Sequence, residues 1–240
     1  MLHRPDPRDR TTWQGLLQPF ADPSPAATPP IHPFGPDDPA VAAWTWCLNE
    51  GPAEAFASLP GRRAADDDEQ GTNASGKPRS LLASRDDLAI EVWTECELAV
   101  LHAGFRRLVE LEPDPDPDPD PATVPPVTIG AARLARDLAD AVAWHLEHTQ
   151  PDNATTHPWG LHAILELGRP TGEAIDHAGS MLHAMQAAAV MTPDGRPDPI
   201  SRWIVADLVR TFEHLAARSG TGEIGLDPDR LAAGAIEPHR

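Results

Sequence analysis

The sequence reads as an all-α protein, an irregular antiparallel helix bundle or stack of helical hairpins that carries long Pro-rich disordered segments. Three observations predict this. Apolar residues recur at spacings of three and four over several stretches, the period of a helix with one buried face. No stretch alternates as a half-buried strand does, and tyrosine is absent. The 28 prolines gather in the first forty residues, in 112–126 and near 193–199, so they bound the periodic stretches instead of interrupting them.

Residues 1–36 read as a disordered Pro-rich segment, in which Trp13 and Phe20 are the side chains able to dock on a core. A helical domain over 37–219 follows. Asp38-Pro39 opens its first helix, about 39–49, with an acceptor for the first-turn N–H groups and a proline where no donor is needed. Gly51 ends that helix and Pro52 starts a short one to about 59. Residues 60–83 read as a flexible loop, and its acidic run Asp66-Asp67-Asp68-Glu69 as a solvated one.

Ser84 is a cap for the longest helix, about 85–111, with Asp86 and Asp87 favourably placed in its first turn. Its apolar stripe runs through Ile90, Trp93, Leu101, Gly104, Leu108 and Leu111, with Glu97 in the middle. Glu91, Glu95, His102 and Arg106 follow along the edge. Pro113 to Pro121 alternates Asp and Pro, and 112–127 reads as an extended spacer. A helix over 129–148 buries Leu134, Leu138 and Ala141, and His145 and His148 continue that line. Gln150-Pro151 stops it.

Thr156 or His157 can cap the next helix, about 158–168, with Pro158 at its start. Leu161, Ile164 and Leu165 turn inward there, while Trp159, His162 and Glu166 share another face. A helix over about 173–191 buries Ile175, Ala178, Leu182, Met185 and Ala189. The last, about 199–218, follows Asp198-Pro199 and buries Ile204, Val205, Leu208, Phe212 and Leu215. Residues 220–240 read as a flexible tail. The short connections at 150–157, 168–172 and 192–198 imply antiparallel neighbours. Leu-His-Ala recurs at His102, His162 and His183, but at separations of 60 and 21 residues, which is no repeat period.

The net charge of −18 and a single lysine, Lys77, leave no basic stripe. Neither nucleic acid nor an anionic membrane surface is an expected partner. No run of 18 apolar residues is present, the opening residues lack the apolar run of a signal peptide, and Cys47 and Cys96 form no disulfide or zinc framework. A cytoplasmic location is the expectation. Asn73-Ala74-Ser75 and Asn153-Ala154-Thr155 match the glycosylation pattern by chance on this reading.

Histidine gives the candidate chemistry, because it titrates near neutral pH and binds metals. Glu97 on an apolar stripe needs a partner, and His145 on a facing stripe is a natural one. The pair is a candidate general base or support for a metal. A divalent metal site would draw on His145, His148, His157 and His162. No spacing matches an established motif: Glu-x-x-His is absent, and Trp144-His145-Leu146-Glu147-His148 is not the zinc-protease order. Asp176 with His183 and Asp207 with His214 read as solvated faces. No serine elbow or phosphate loop occurs, and nothing cationic adjoins Cys96 to activate it. The primary expectation is a helical interaction or scaffold module, partnered by another protein or by itself, without a cofactor. The alternative is a small helical metal-binding protein or enzyme with its site at the 145–162 hairpin.

Overall fold

The computed structural model describes residues 9–23, 80–82, 89–111, 129–149, 157–168, 171–190, 192 and 194–219. Six α-helices occur among them: α1 (Arg10–Leu17), α2 (Ile90–Leu111), α3 (Ile129–His148), α4 (Leu161–Leu167), α5 (Gly172–Val190) and α6 (Pro199–Ser219). A 3-10 turn, Gln18–Phe20, extends α1. Of the described residues 82% are helical and none lies in a strand, which makes the fold all-α. The helices expected at 39–49 and 52–59, nearly all of the 60–83 loop, the Asp-Pro spacer and the 220–240 tail lie outside the described residues.

The organising element is α4, the shortest of the described helices. All seven residues of α4 are buried, and α4 contacts α2, α3, α5 and α6. A helix apolar or paired on every side belongs inside a domain, not on its surface. α2 packs on α3 and α6, α3 packs on α5, and α1 with its 3-10 turn lies on α6. The core they enclose is built around Trp159, Trp203, Phe105, Phe212, Leu98, Leu101, Leu138 and Ile164.

Local signals explain the ends. Asp198 starts α6 as expected: its carboxylate accepts from the N–H groups of Ile200 and Ser201 at 2.8 and 3.1 Å, with Pro199 at the first position. The start of α4 differs from expectation. The capping candidate His157 lies in the approach to the helix, Pro158 is buried there, and the helix begins only after Gly160. Gly160 has φ +68°, and a Cβ at that position would sit 3.2 Å from Leu101 Cδ2 and 3.3 Å from the Leu98 carbonyl oxygen. The sharp entry therefore needs a residue without a side chain.

Two expectations, one about a face and one about disorder, fail here. Ile90, placed on the apolar stripe of the long helix, is exposed, because it opens α2 before the bundle closes around Trp93. Residues 10–17, within the segment expected to be disordered, form α1. Asp9 caps that helix by accepting from the Thr11 N–H at 3.0 Å and the Thr12 hydroxyl at 2.7 Å. Proline density hid this short proline-free window.

We expect Gly160→Ala to destabilise the fold by about 1–3 kcal/mol through left-handed strain and the crowding against Leu98 and Leu101. Chemical denaturation of the two proteins measures it directly.

Candidate functional site

The helical core holds an unusual load of polar groups. Glu97, His102, His145 and His162 are completely inaccessible, and Arg10, Glu166, His177 and Asp207 are nearly so. A buried charge is tolerated only when paired and hydrogen-bonded, so the partners reveal what these groups do.

Glu97 does not orient His145. Its carboxylate accepts from the backbone N–H groups of Leu81 and Leu82, the latter at 2.6 Å, and so anchors a distant piece of chain to α2. His145 Nε2 stands 3.9 Å from Glu97 Oε1, too far for a hydrogen bond. That Nε2 has no hydrogen-bond partner among the described residues. Burial, with the neighbouring His177 and His148 adding to it, lowers the His145 pKa to about 3. Burial alone lowers His177, whose Nε2 is also unpartnered, to about 4. Both are neutral imidazoles of the core at physiological pH.

His148 is exposed and stacks on Trp144, with rings 4.9 Å apart and nearly parallel. Its Nδ1 donates to the Trp144 carbonyl at 3.0 Å, an attachment within its own helix.

His157 lies at the entry to α4 and bridges two helices. Nδ1 donates to Glu95 of α2 at 2.5 Å, and Nε2 faces Asp198 at the start of α6 at 3.6 Å. Trp159 Nε1 donates to the same Glu95 oxygen at 2.6 Å. Burial opposes a charge on His157, but the carboxylates of Asp198 and Glu95 outweigh it and raise the pKa to about 9. His157 is therefore a cation between two anions, clasping the entry of α4 to α2 and α6.

His162 joins a group on the other side of α4. Its ring lies 4.4 Å from that of His102, edge-on to Phe105, with Trp159 and Trp203 against His102. Burial, together with His102, lowers the His162 pKa well below its ordinary value. His102 Nδ1 accepts the Gly160 N–H at 3.3 Å, which fixes the proton on Nε2, and Nε2 donates to Asp207 at 3.1 Å. Arg106 and Arg210 reach the other Asp207 oxygen at 3.3 and 3.0 Å. Asp207 was expected on a solvated face with His214. It is buried instead, because α6 turns it onto α2, and only His214 is exposed. His102, expected at the edge of a stripe, is likewise inside.

The last buried pair is the most distant in sequence. Arg10 of α1 donates through Nε and Nη2 to both carboxylate oxygens of Glu166 on α4, at 2.6 and 2.9 Å. Parallel two-point contact of this kind is the strongest geometry a guanidinium offers.

Thus Glu97, His145, His148, His157 and His162 do not meet in one place. Glu97 and His145 are neighbours, His148 is at the surface, and His157 and His162 serve different contacts. Among the described residues no group of three His, Cys, Asp or Glu side chains is placed to hold a metal ion. Arg10, Asp207 and Glu166 are interior ion-pair members that no local sequence pattern marks. Their partners lie about 100 residues or more away, and a single sequence carries no signal of that. Comparison with protein-family models, with curated proteins and with solved structures gives no match.

The histidines set the pH range of the fold, with opposite signs. His157 has a raised pKa, so its contribution is complete below about 6.5 and is lost as pH rises through about 9. His145 and His177 have lowered pKa values, so their neutral burial is costless above about 6.5 and increasingly costly as pH falls towards 4. The melting temperature should therefore peak near pH 6.5 and fall on both sides, on the alkaline side between about 6.5 and 9. His157→Gln should remove most of the alkaline fall, and His145→Gln should flatten the acid fall. Melting curves at half-unit pH steps check both.

Proposed function

We propose that the chain is a helical interaction module, a scaffold that presents a rigid helical body to a protein partner, with a second copy of itself as the first candidate. One observation carries this reading. The candidate acids and imidazoles lie apart instead of converging on a substrate-sized site: Glu97 ties Leu81 and Leu82 to α2, His157 ties the entry of α4 to α2 and α6, His162 packs its ring on His102 of α2, and His148 is at the surface. Groups spent on fixing the relative positions of helices serve rigidity, and a rigid surface binds at low entropic cost. The net charge of −18 supports protein over nucleic acid as partner. No described helix is long and apolar enough to cross a membrane.

A second reading, a metal-binding protein or enzyme at the 145–162 hairpin, draws on His145, whose Nε2 has no hydrogen-bond partner among the described residues and lies 3.9 Å from Glu97 Oε1. A neutral imidazole and a carboxylate are ligand types that a divalent ion accepts.

Elemental analysis of the purified protein, with melting curves in chelator, separates the two. The interaction-module reading predicts sub-stoichiometric metal, an unchanged melting temperature in chelator, and a His145→Ala variant that loses stability only. One equivalent of a divalent metal, with a chelator-dependent fall in melting temperature, would replace it with the metal reading.

A further inference from the structure

About 70 residues of sequence separate the 3-10 turn after α1 from the start of α2. An isolated eight-residue helix is marginal in water, so α1 owes its form to the surface on which it lies. Arg10, Trp13 and Leu17, at positions i, i+3 and i+7, share one face, and all three are buried, while Thr11 and Gly15 face outward. This is the anchor pattern of an amphipathic helix laid in a groove. The floor is α6, and Glu166 of α4 stands where the guanidinium enters. Beyond the helix, the Asp22 N–H donates to the Arg202 carbonyl at 3.2 Å and closes the far end.

We propose that this groove is an exchange site, which takes residues 9–23 either from its own chain or from a second copy, and that reciprocal exchange forms a dimer. The inference rests on the interaction-module reading and names its partner. The groove contacts described for the segment are with α4 and α6, and none of these requires the connection to be in the same chain, so the exchanged form repeats them. What differs is the tether and the association itself, which makes exchange a low-cost route to a dimer. A long connection lowers the effective concentration at which a segment competes for its own groove. A second copy is favoured as occupant because the groove's features are met by this sequence: a buried carboxylate that needs a guanidinium, and apolar space for Trp13 and Leu17. A foreign helix with the same three anchors is the competing occupant.

The test uses two full-length variants, Arg10→Glu and Glu166→Arg. Each alone sets like charges together at the groove, within a chain or between copies. In an equal mixture, the unaltered α1 of the second variant meets the unaltered groove of the first, and the two altered partners meet each other with opposite charge. Light scattering should show each variant at monomer mass and the mixture moving to dimer mass, with a melting temperature above either component. A mixture that stays at monomer mass overturns the proposal.

If either variant fails to fold by circular dichroism, a labelled peptide of residues 9–23 decides instead. It is titrated into the full chain carrying Arg10→Ala and Trp13→Ala. Saturable binding, weakened at least tenfold by adding Glu166→Gln, supports the exchange site, and absence of saturable binding overturns it. Either failure leaves the metal analysis of the preceding section unchanged, so loss of this inference and loss of the function reading are told apart.

Discussion

Burying α4 on every side imposes the constraint on which the rest of the structure depends. A surface helix can leave its polar face in water. α4 cannot, and it carries His162 and Glu166 in a stretch of seven residues. Glu166 must find a cation, and the one it finds is Arg10, brought from the far end of the sequence. His162 must lie among rings that accept a neutral imidazole, and His102, Phe105 and their tryptophan neighbours provide them. The entry to α4 must also be fixed, which His157 does through Glu95 and Asp198. The polar interior is thus a consequence of one topological choice.

That choice accounts for the histidines buried among the described residues. A buried ion pair gives less stability than apolar side chains of the same volume, but breaking one is costly, so such pairs act mainly to fix one arrangement of helices. Asp207 shows the economy of the pattern, since a single carboxylate on α6 holds His102 and Arg106 of α2 and Arg210 of its own helix. Neutral imidazoles at His145 and His177 fill space, and among the described residues each leaves one ring nitrogen without a hydrogen bond. The two kinds of histidine contact respond oppositely to pH, which confines the stable range to near-neutral conditions.

Much of the fold was legible in the sequence because its signals are local. Proline and glycine mark the ends, as at Asp198-Pro199, and three-four periodicity fixes the helices between them. The reading of faces was weaker. His102 and Asp207 sit on positions that a helical wheel assigns to an edge or to solvent, and only a partner on another helix makes their burial favourable. Ile90 errs in the other direction, as an apolar residue on the right stripe but beyond the end of the packed region. α1 was missed because its neighbours are proline-rich, although Asp9 to Leu17 contains a cap and a run without proline. Of the candidate site, the nearness of Glu97 and His145 was foreseen. The use of Glu97 as an acceptor for Leu81 and Leu82 was not, since backbone donors leave no mark in a sequence.

The central claim is that α4 can be buried only because Arg10 and Glu166 satisfy each other, and a double-mutant cycle tests it most directly. Denaturant unfolding would be measured for the parent, Arg10→Met, Glu166→Leu and the double variant. The account predicts that Arg10→Met alone costs about 3–5 kcal/mol, because it strands a buried carboxylate, and that the double variant recovers most of this loss. Additive losses, with the double variant no more stable than the sum of the singles implies, would contradict it.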